Sequence, residues 1–265
     1  ILKDDCGVLV NKWLPYAPML VPLAALLASN EDVGYKVGPN RIKMARWFWC
    51  ASLGQAYESG SNSQSELDFN ELKRWLSGGE SPEVVASFKF DPQTLLHTTR
   101  RQRAVYRAVM CLLLKDGPRD FYNFAKITGD LIVESNVDDH HIFPQGYLGD
   151  HRYRDSILNR TLIDRKTNMQ ISNHAPSTYM NNIKEAYELD PNLGINRFVE
   201  LLESHHLPAG LDSPFWSDDF ETFLKWRQAE IWERIKEATG AVESDSDHVD
   251  DWLDYDDHLQ LDEAS

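Results

Sequence analysis

Apolar residues recur along much of the chain at intervals of three and four, the period of a helix with one buried face. Ile42, Ala45, Trp49 and Leu53 form a first stripe, with Asn40 as its predicted N-cap and an end near Ser59-Gly60-Ser61. Leu67, Leu72, Trp75 and Leu76 form a second, which stops at Gly78-Gly79, and Pro82 opens a third, short helix. The run from Arg101 to Lys115, basic in its first half and apolar in its second, predicts a strong helix ended by Gly117-Pro118. Ser177 is the predicted cap of a helix through Tyr187, and Asp218 or Asp219 of a long one reaching about Ala238. The apolar run Leu14 to Ala28 is 15 residues long and holds Pro15, Pro18 and Pro22. A membrane span needs roughly 20 residues, so this run predicts a buried, proline-broken helix.

The period changes in the middle of the chain. Leu131-Ile132-Val133 leads into Val137 to Pro144, and Thr161-Leu162-Ile163 is a second short β-prone run after a polar loop. Two short strands flanking a loop, with a helix behind them, predict a ββα unit. The expected fold class is mainly α, a helical domain with this unit embedded in it.

Composition changes the picture in one respect. The formal charge is -15, which argues against a polyanionic ligand, because binding DNA depends on neutralising phosphates with Lys and Arg. Ten of the acidic residues lie in 243–265, which holds no Lys or Arg, and residues 1–242 carry only -5. That segment has the profile of an acidic, solvated tail, and the objection to DNA disappears with it. Cys6, Cys50 and Cys111 have no short spacing, so they form neither a disulfide framework nor a zinc clip, and they suit a reducing cytoplasm.

The candidate chemistry is concentrated in Val137-Asp138-Asp139-His140-His141-Ile142-Phe143-Pro144-Gln145, with Asn159 18 residues after His141 and Asn168 9 residues after Asn159. Alternate side chains of a strand face opposite ways, and Pro144 marks the end of the first strand. One imidazole is then free to hold a metal while its neighbour meets a water. Hydrolysis of a phosphodiester needs both jobs: a divalent cation to absorb developing negative charge, and a neutral imidazole to take a proton. Asn168 supplies an amide oxygen to the metal, and Asn159 hydrogen-bonds the turn that carries His141. His97, His151, His174 and the pair His205-His206 lack such company and are expected to be structural.

At these positions the sequence resembles the HNH-type, or His-Me finger, nucleases, including the HNH domain of RNA-guided CRISPR nucleases. Over a longer stretch NKWLPYAPMLVPLAALLA, VDDHHIFPQGYL and NRTLIDRKTNMQISNHAPSTYM resemble the C-terminal half of GmrSD-type modification-dependent restriction proteins and their SspE relatives. The resemblance implies His141 as general base, Asn159 as the residue that positions it, His140 and Asn168 as metal ligands, and Asp139 as an outer-shell carboxylate. It implies a divalent metal, Mg first. Histidine at 140 in place of aspartate shifts the preference toward Mn, Ni or Zn. Where the CRISPR domain has a lysine, this chain has Ile171, so phosphate contacts fall to Arg152, Arg154, Arg160, Arg165 and Lys166.

The domains expected are a helical region over 1–97, an HNH-type nuclease domain with C-terminal helices over 98–242, and the acidic tail over 243–265. The expected function is a metal-dependent DNA endonuclease in bacterial defence against foreign or phage DNA, cytoplasmic, without a membrane partner, and open to oligomerisation. Its implied partner is an N-terminal ParB-like nucleotide-hydrolysing domain. The alternative is a non-catalytic helical module that binds DNA or a protein and keeps the finger as a remnant. The basic face from Arg100 to Arg107 is either a DNA-contacting surface or a solvated side.

Overall fold

The computed structural model describes residues 1–29, 38–134, 136–210 and 213–242; the acidic tail lies outside them. Twelve α-helices and one hairpin follow in order among the described residues: α1 (Leu20–Ala28), α2 (Pro39–Leu53), α3 (Ser61–Leu76), α4 (Glu83–Ala86), α5 (Gln93–His97), α6 (Arg103–Lys115), α7 (Gly129–Val133), β1 (Val137–His141), α8 (Gln145–Leu148), β2 (Arg160–Asp164), α9 (Arg165–Ile171), α10 (Pro176–Leu189), α11 (Gly194–Ser204) and α12 (Phe220–Thr239). The protein is mainly α-helical.

Local chemistry explains most boundaries. Helix α2 begins behind Gly38, whose φ of 74° admits a backbone turn that other residues resist, with Pro39 in the first turn. Asn40, expected as its cap, instead donates its side-chain amide to the carbonyl of Leu76 and fastens the end of α3. The proline-rich run is helical only over α1; Asn11–Trp13 and Ala17–Met19 are short 3-10 turns. Asp219 caps α12 by accepting from the Thr222 N–H, and Gly240 closes it at φ 72°. Ser177 does not cap α10. Its N–H and hydroxyl both donate to Asp218, so a carboxylate from a distant segment sits at that helix N-terminus.

Helix α6 carries the centre of the core, with Val105, Ala108, Val109, Cys111 and Leu112 all buried. Helix α2 packs against it and against α12, which brings Trp47, Phe48 and Trp49 into the same interior. Burying such side chains stabilises the fold by ~2 kcal/mol each. Buried residues on both sides of position 97 belong to one continuous apolar core. No helix among the described residues is long and apolar enough to cross a membrane.

The hairpin is set into this helical body. Strands β1 and β2 pair antiparallel with Val137 opposite Asp164 and His141 opposite Arg160, and α9 packs on both. Leu131-Ile132-Val133, despite its β-prone composition, is the helical turn α7, capped by Thr128. A run of three apolar residues does not distinguish the two periods.

Candidate functional site

Alternation along β1 sorts its side chains. Asp138 and His140 face α9, whereas Asp139 and His141 face the loop between the strands and the start of α6. The two neighbouring imidazoles therefore have separate surroundings.

On the α9 side, Nδ1 of His140 is 2.7 Å from Oδ1 of Asn168, and Nδ2 of Asn168 donates to Asp138 at 3.1 Å. A carboxylate only accepts here, so Asp138 fixes which way the Asn168 amide points, and His140 in turn donates through Nδ1. Its Nε2 is then an unprotonated nitrogen, buried and without a hydrogen-bond partner. Phe121 and Tyr179 stand edge-on to the ring. Burial pulls the His140 imidazole down to about 4, so the ring is neutral at pH 7. The carboxylate expected beside this pair was Asp139; the one that stands there is Asp138, which Arg165 also approaches at 3.3 Å.

On the opposite side, Nε2 of His141 is 2.9 Å from Oδ1 of Asp155. The same oxygen accepts from Arg160 at 2.8 Å and from Gln145 at 3.0 Å. Nε2 carries the proton, which leaves Nδ1 of His141 as the basic atom. The ring is half-buried, with 16% of its side chain exposed. Burial and the neighbouring Arg160 charge lower the pKa of His141, with Asp155 opposing them. Partial desolvation pushes Asp155 upward, but the bond from His141 and the charge of Arg160 leave it below the usual carboxylate range.

Asn159 is fully buried at the end of a 3-10 turn before β2. Its Oδ1 accepts from the Phe143 N–H at 2.7 Å, and its Nδ2 donates to the carbonyls of Phe143 and Arg154. One side chain thus clamps the backbone just beyond His141 to the loop that carries Asp155. Tyr179 adds a bond from its hydroxyl to the Ile142 carbonyl.

The expected phosphate contacts fare differently. Arg160 is only 4% exposed and lies between Asp155 and Asp139, so it is not available to DNA. Arg154 is held by the Gly149 carbonyl and by Asp150 and Asp155. Arg152 lies over the ring of Tyr153, Arg165 pairs with Asp138, and Lys166 is exposed at the first turn of α9. Asp139 belongs to the Arg160 network, where it also accepts from Arg100 at 2.8 Å and from the Tyr106 hydroxyl. His205 is structural, bonded between the Thr161 hydroxyl and the Arg119 carbonyl.

Asp138 was legible in the sequence, since residues two apart share a strand face. Asp155 was not: it lies in an aperiodic loop 14 residues from His141. Among the described residues no group of three or more His, Cys, Asp or Glu side chains is placed to hold a metal ion.

No family model matches the chain, and no solved structure matches it. The chain is similar to the uncharacterized protein MJ0686 of Methanocaldococcus jannaschii, 28% identical over 254 residues, covering 86% of this chain and 41% of that protein. The chain thus spans less than half the length of this relative.

Proposed function

We propose that the chain is a metal-dependent DNA endonuclease of the HNH, or His-Me finger, type, with β1, β2 and α9 as its ββα unit. The observation that carries this reading is the 2.7 Å contact of His140 with Asn168, next in sequence to a second imidazole that a carboxylate holds on the other face of β1. Nδ1 of His140 and Oδ1 of Asn168 already stand together, and ligation through both would move the ring proton from Nδ1 to Nε2. The neutral ring of His140 suits ligation. His140 and Asn168 would hold the cation, with Asp138 as the nearby carboxylate; Mg is the first candidate, and the imidazole admits Mn, Ni or Zn.

The cation, when bound, supplies positive charge at the scissile phosphate and the leaving oxygen. Nδ1 of His141 takes a proton from the attacking water. Asp155 keeps the ring turned and accepts a hydrogen bond from Nε2–H, and its negative charge favours the imidazolium that forms. Asn159 fixes the turn behind both. The resemblance to GmrSD-type proteins assigns the activity to restriction of foreign or phage DNA, alongside a ParB-like nucleotide-hydrolysing domain.

The test is plasmid digestion across divalent metals. Nicking or cleavage that needs added metal and vanishes in a folded His141→Ala variant supports the reading; cleavage by that variant at the original rate overturns it. A second reading draws on the same contact, because His140 and Asn168 also satisfy each other without an ion. In that reading the finger is a remnant in a DNA- or protein-binding module, and neither Mg nor Mn raises the melting temperature.

A further inference from the structure

A groove of ≈ 420 Å³ is lined by Lys12, Arg100, Arg103 and Arg107, by Trp13 and Tyr106, and by the first half of β1. Asp138 and Asp139 also line it, directly before the two imidazoles in the sequence of β1. The cations come from the 3-10 turn Asn11–Trp13, about ninety residues away in sequence, and from the start of α6. They are not equivalent. Arg100 is committed to Asp139, and Arg107 donates to the Leu14 carbonyl. Arg103 and Lys12 are exposed and have no carboxylate partner among the described residues.

The charge arrangement is unfavourable in isolation. The N-terminal end of a helix carries partial positive charge and is stabilised by anions. Helix α6 has no acidic residue in its first turn; Arg103 is its first residue, and Arg101 and the Asp139-bound Arg100 immediately precede it. An anion in the groove relieves that repulsion. The aromatic floor narrows the choice of anion: Trp13 is 8% and Tyr106 3% exposed, so neither offers a face on which a base can stack. The groove presents charge along its length and no reading surface.

We infer that this groove takes the sugar-phosphate backbone of one strand of a DNA duplex, without base recognition, and leads it to the hairpin. The inference rests on the nuclease reading for the identity of the polyanion. It also moves the main phosphate contacts from the loop arginines at 152–160 to Lys12 and Arg103.

The test is fluorescence anisotropy of a labelled DNA duplex against salt concentration, in chelator so that cleavage plays no part. Removing one cation that touches a phosphate lowers the slope of log K against log salt by about 0.9. A Lys12→Gln/Arg103→Gln double variant is expected to bind more weakly and to lower that slope by about two. A Lys73→Gln/Arg74→Gln control on α3 is expected to match the unaltered protein. Equal weakening in both double variants, or an unchanged slope in the first, overturns the inference; so does a fall in melting temperature of the first variant large enough to account for its weaker binding. His141→Ala separates the two claims. Retained binding with no cleavage supports both, whereas metal-dependent cleavage that the Lys12/Arg103 variant performs with unaltered affinity rejects the groove and leaves the nuclease standing.

Discussion

Asp155 holds His141 from across the hairpin loop: one carboxylate oxygen accepts from the ring at 2.9 Å and from Arg160 at 2.8 Å. The imidazole is therefore fixed in orientation and in tautomer by a residue outside both strands. Asp155→Asn keeps the size and loses the charge, and the asparagine amide is able to turn its NH2 toward the ring. In the nuclease reading kcat falls on the order of 10²-fold with KM little changed. Single-turnover cleavage checks this, and an equal loss in DNA affinity counts against a positioning role.

Arg160 is buried against two carboxylates, and Oδ1 of Asp139 has no hydrogen bond of its own. Arg160→Met leaves that carboxylate with Arg100 and Tyr106 alone. Losing the hydrogen bonds of a charged, buried guanidinium in this way costs about 1.5–3 kcal/mol. Urea unfolding measures it; a loss under about 1 kcal/mol is what a surface arginine gives and contradicts the burial.

Asn159 meets one donor and two acceptors of the main chain, so its replacements rank by what they present to those groups. Asn159→Ala leaves three backbone groups without this partner, and the two of Phe143 are buried, at about 1–3 kcal/mol each before relaxation. Asn159→Asp is expected to be worse, because it turns an acceptor toward the carbonyls of Phe143 and Arg154. The order of melting temperatures, Asn above Ala above Asp, is the check.

The reach of the sequence follows from which interactions are local. Long helices are visible because their buried faces repeat, and the hairpin because β-prone runs and two asparagines stand at telling distances. Side-chain partners are less so. Arg160 reads as exposed in a charged loop, and only its pairing opposite His141 encloses it. The groove joins Lys12 to Arg103 through the packing of the N-terminal segment on α6, which no spacing encodes. Helix α11 is absent from the predicted helices although Phe198, Leu201 and Leu202 are buried in it.

Acid should weaken the fold in a definite window. Burial lowers His205 to about 3 in the folded chain, against about 6.5 when unfolded. Between those values the unfolded chain binds the extra proton, so stability is full above about pH 6.5 and is lost progressively as pH falls toward 3. His205→Gln should be less stable at neutral pH and lose less on acidification. Melts at a series of pH values test this; an equally steep fall in the variant removes His205 as the cause.

Metal should act on the native state alone. At 100 times its dissociation constant a ligand adds about 2.7 kcal/mol, which corresponds to several degrees in a domain of this size. Mg or Mn is expected to raise the melting temperature of the unaltered protein and not that of Asn168→Ala, and a shift of the same size in both places the ion elsewhere.

The division of β1 into two faces restricts how the hairpin can vary in length. Sliding one strand by a single residue exchanges its inward and outward side chains. The ring beside Asn168 would then meet Asp155, and the ring beside Asp155 would meet α9. Insertions within 137–141 or 160–164 should therefore be rejected by selection, whereas a change of length in the connection between the strands leaves the alternation of β1 intact.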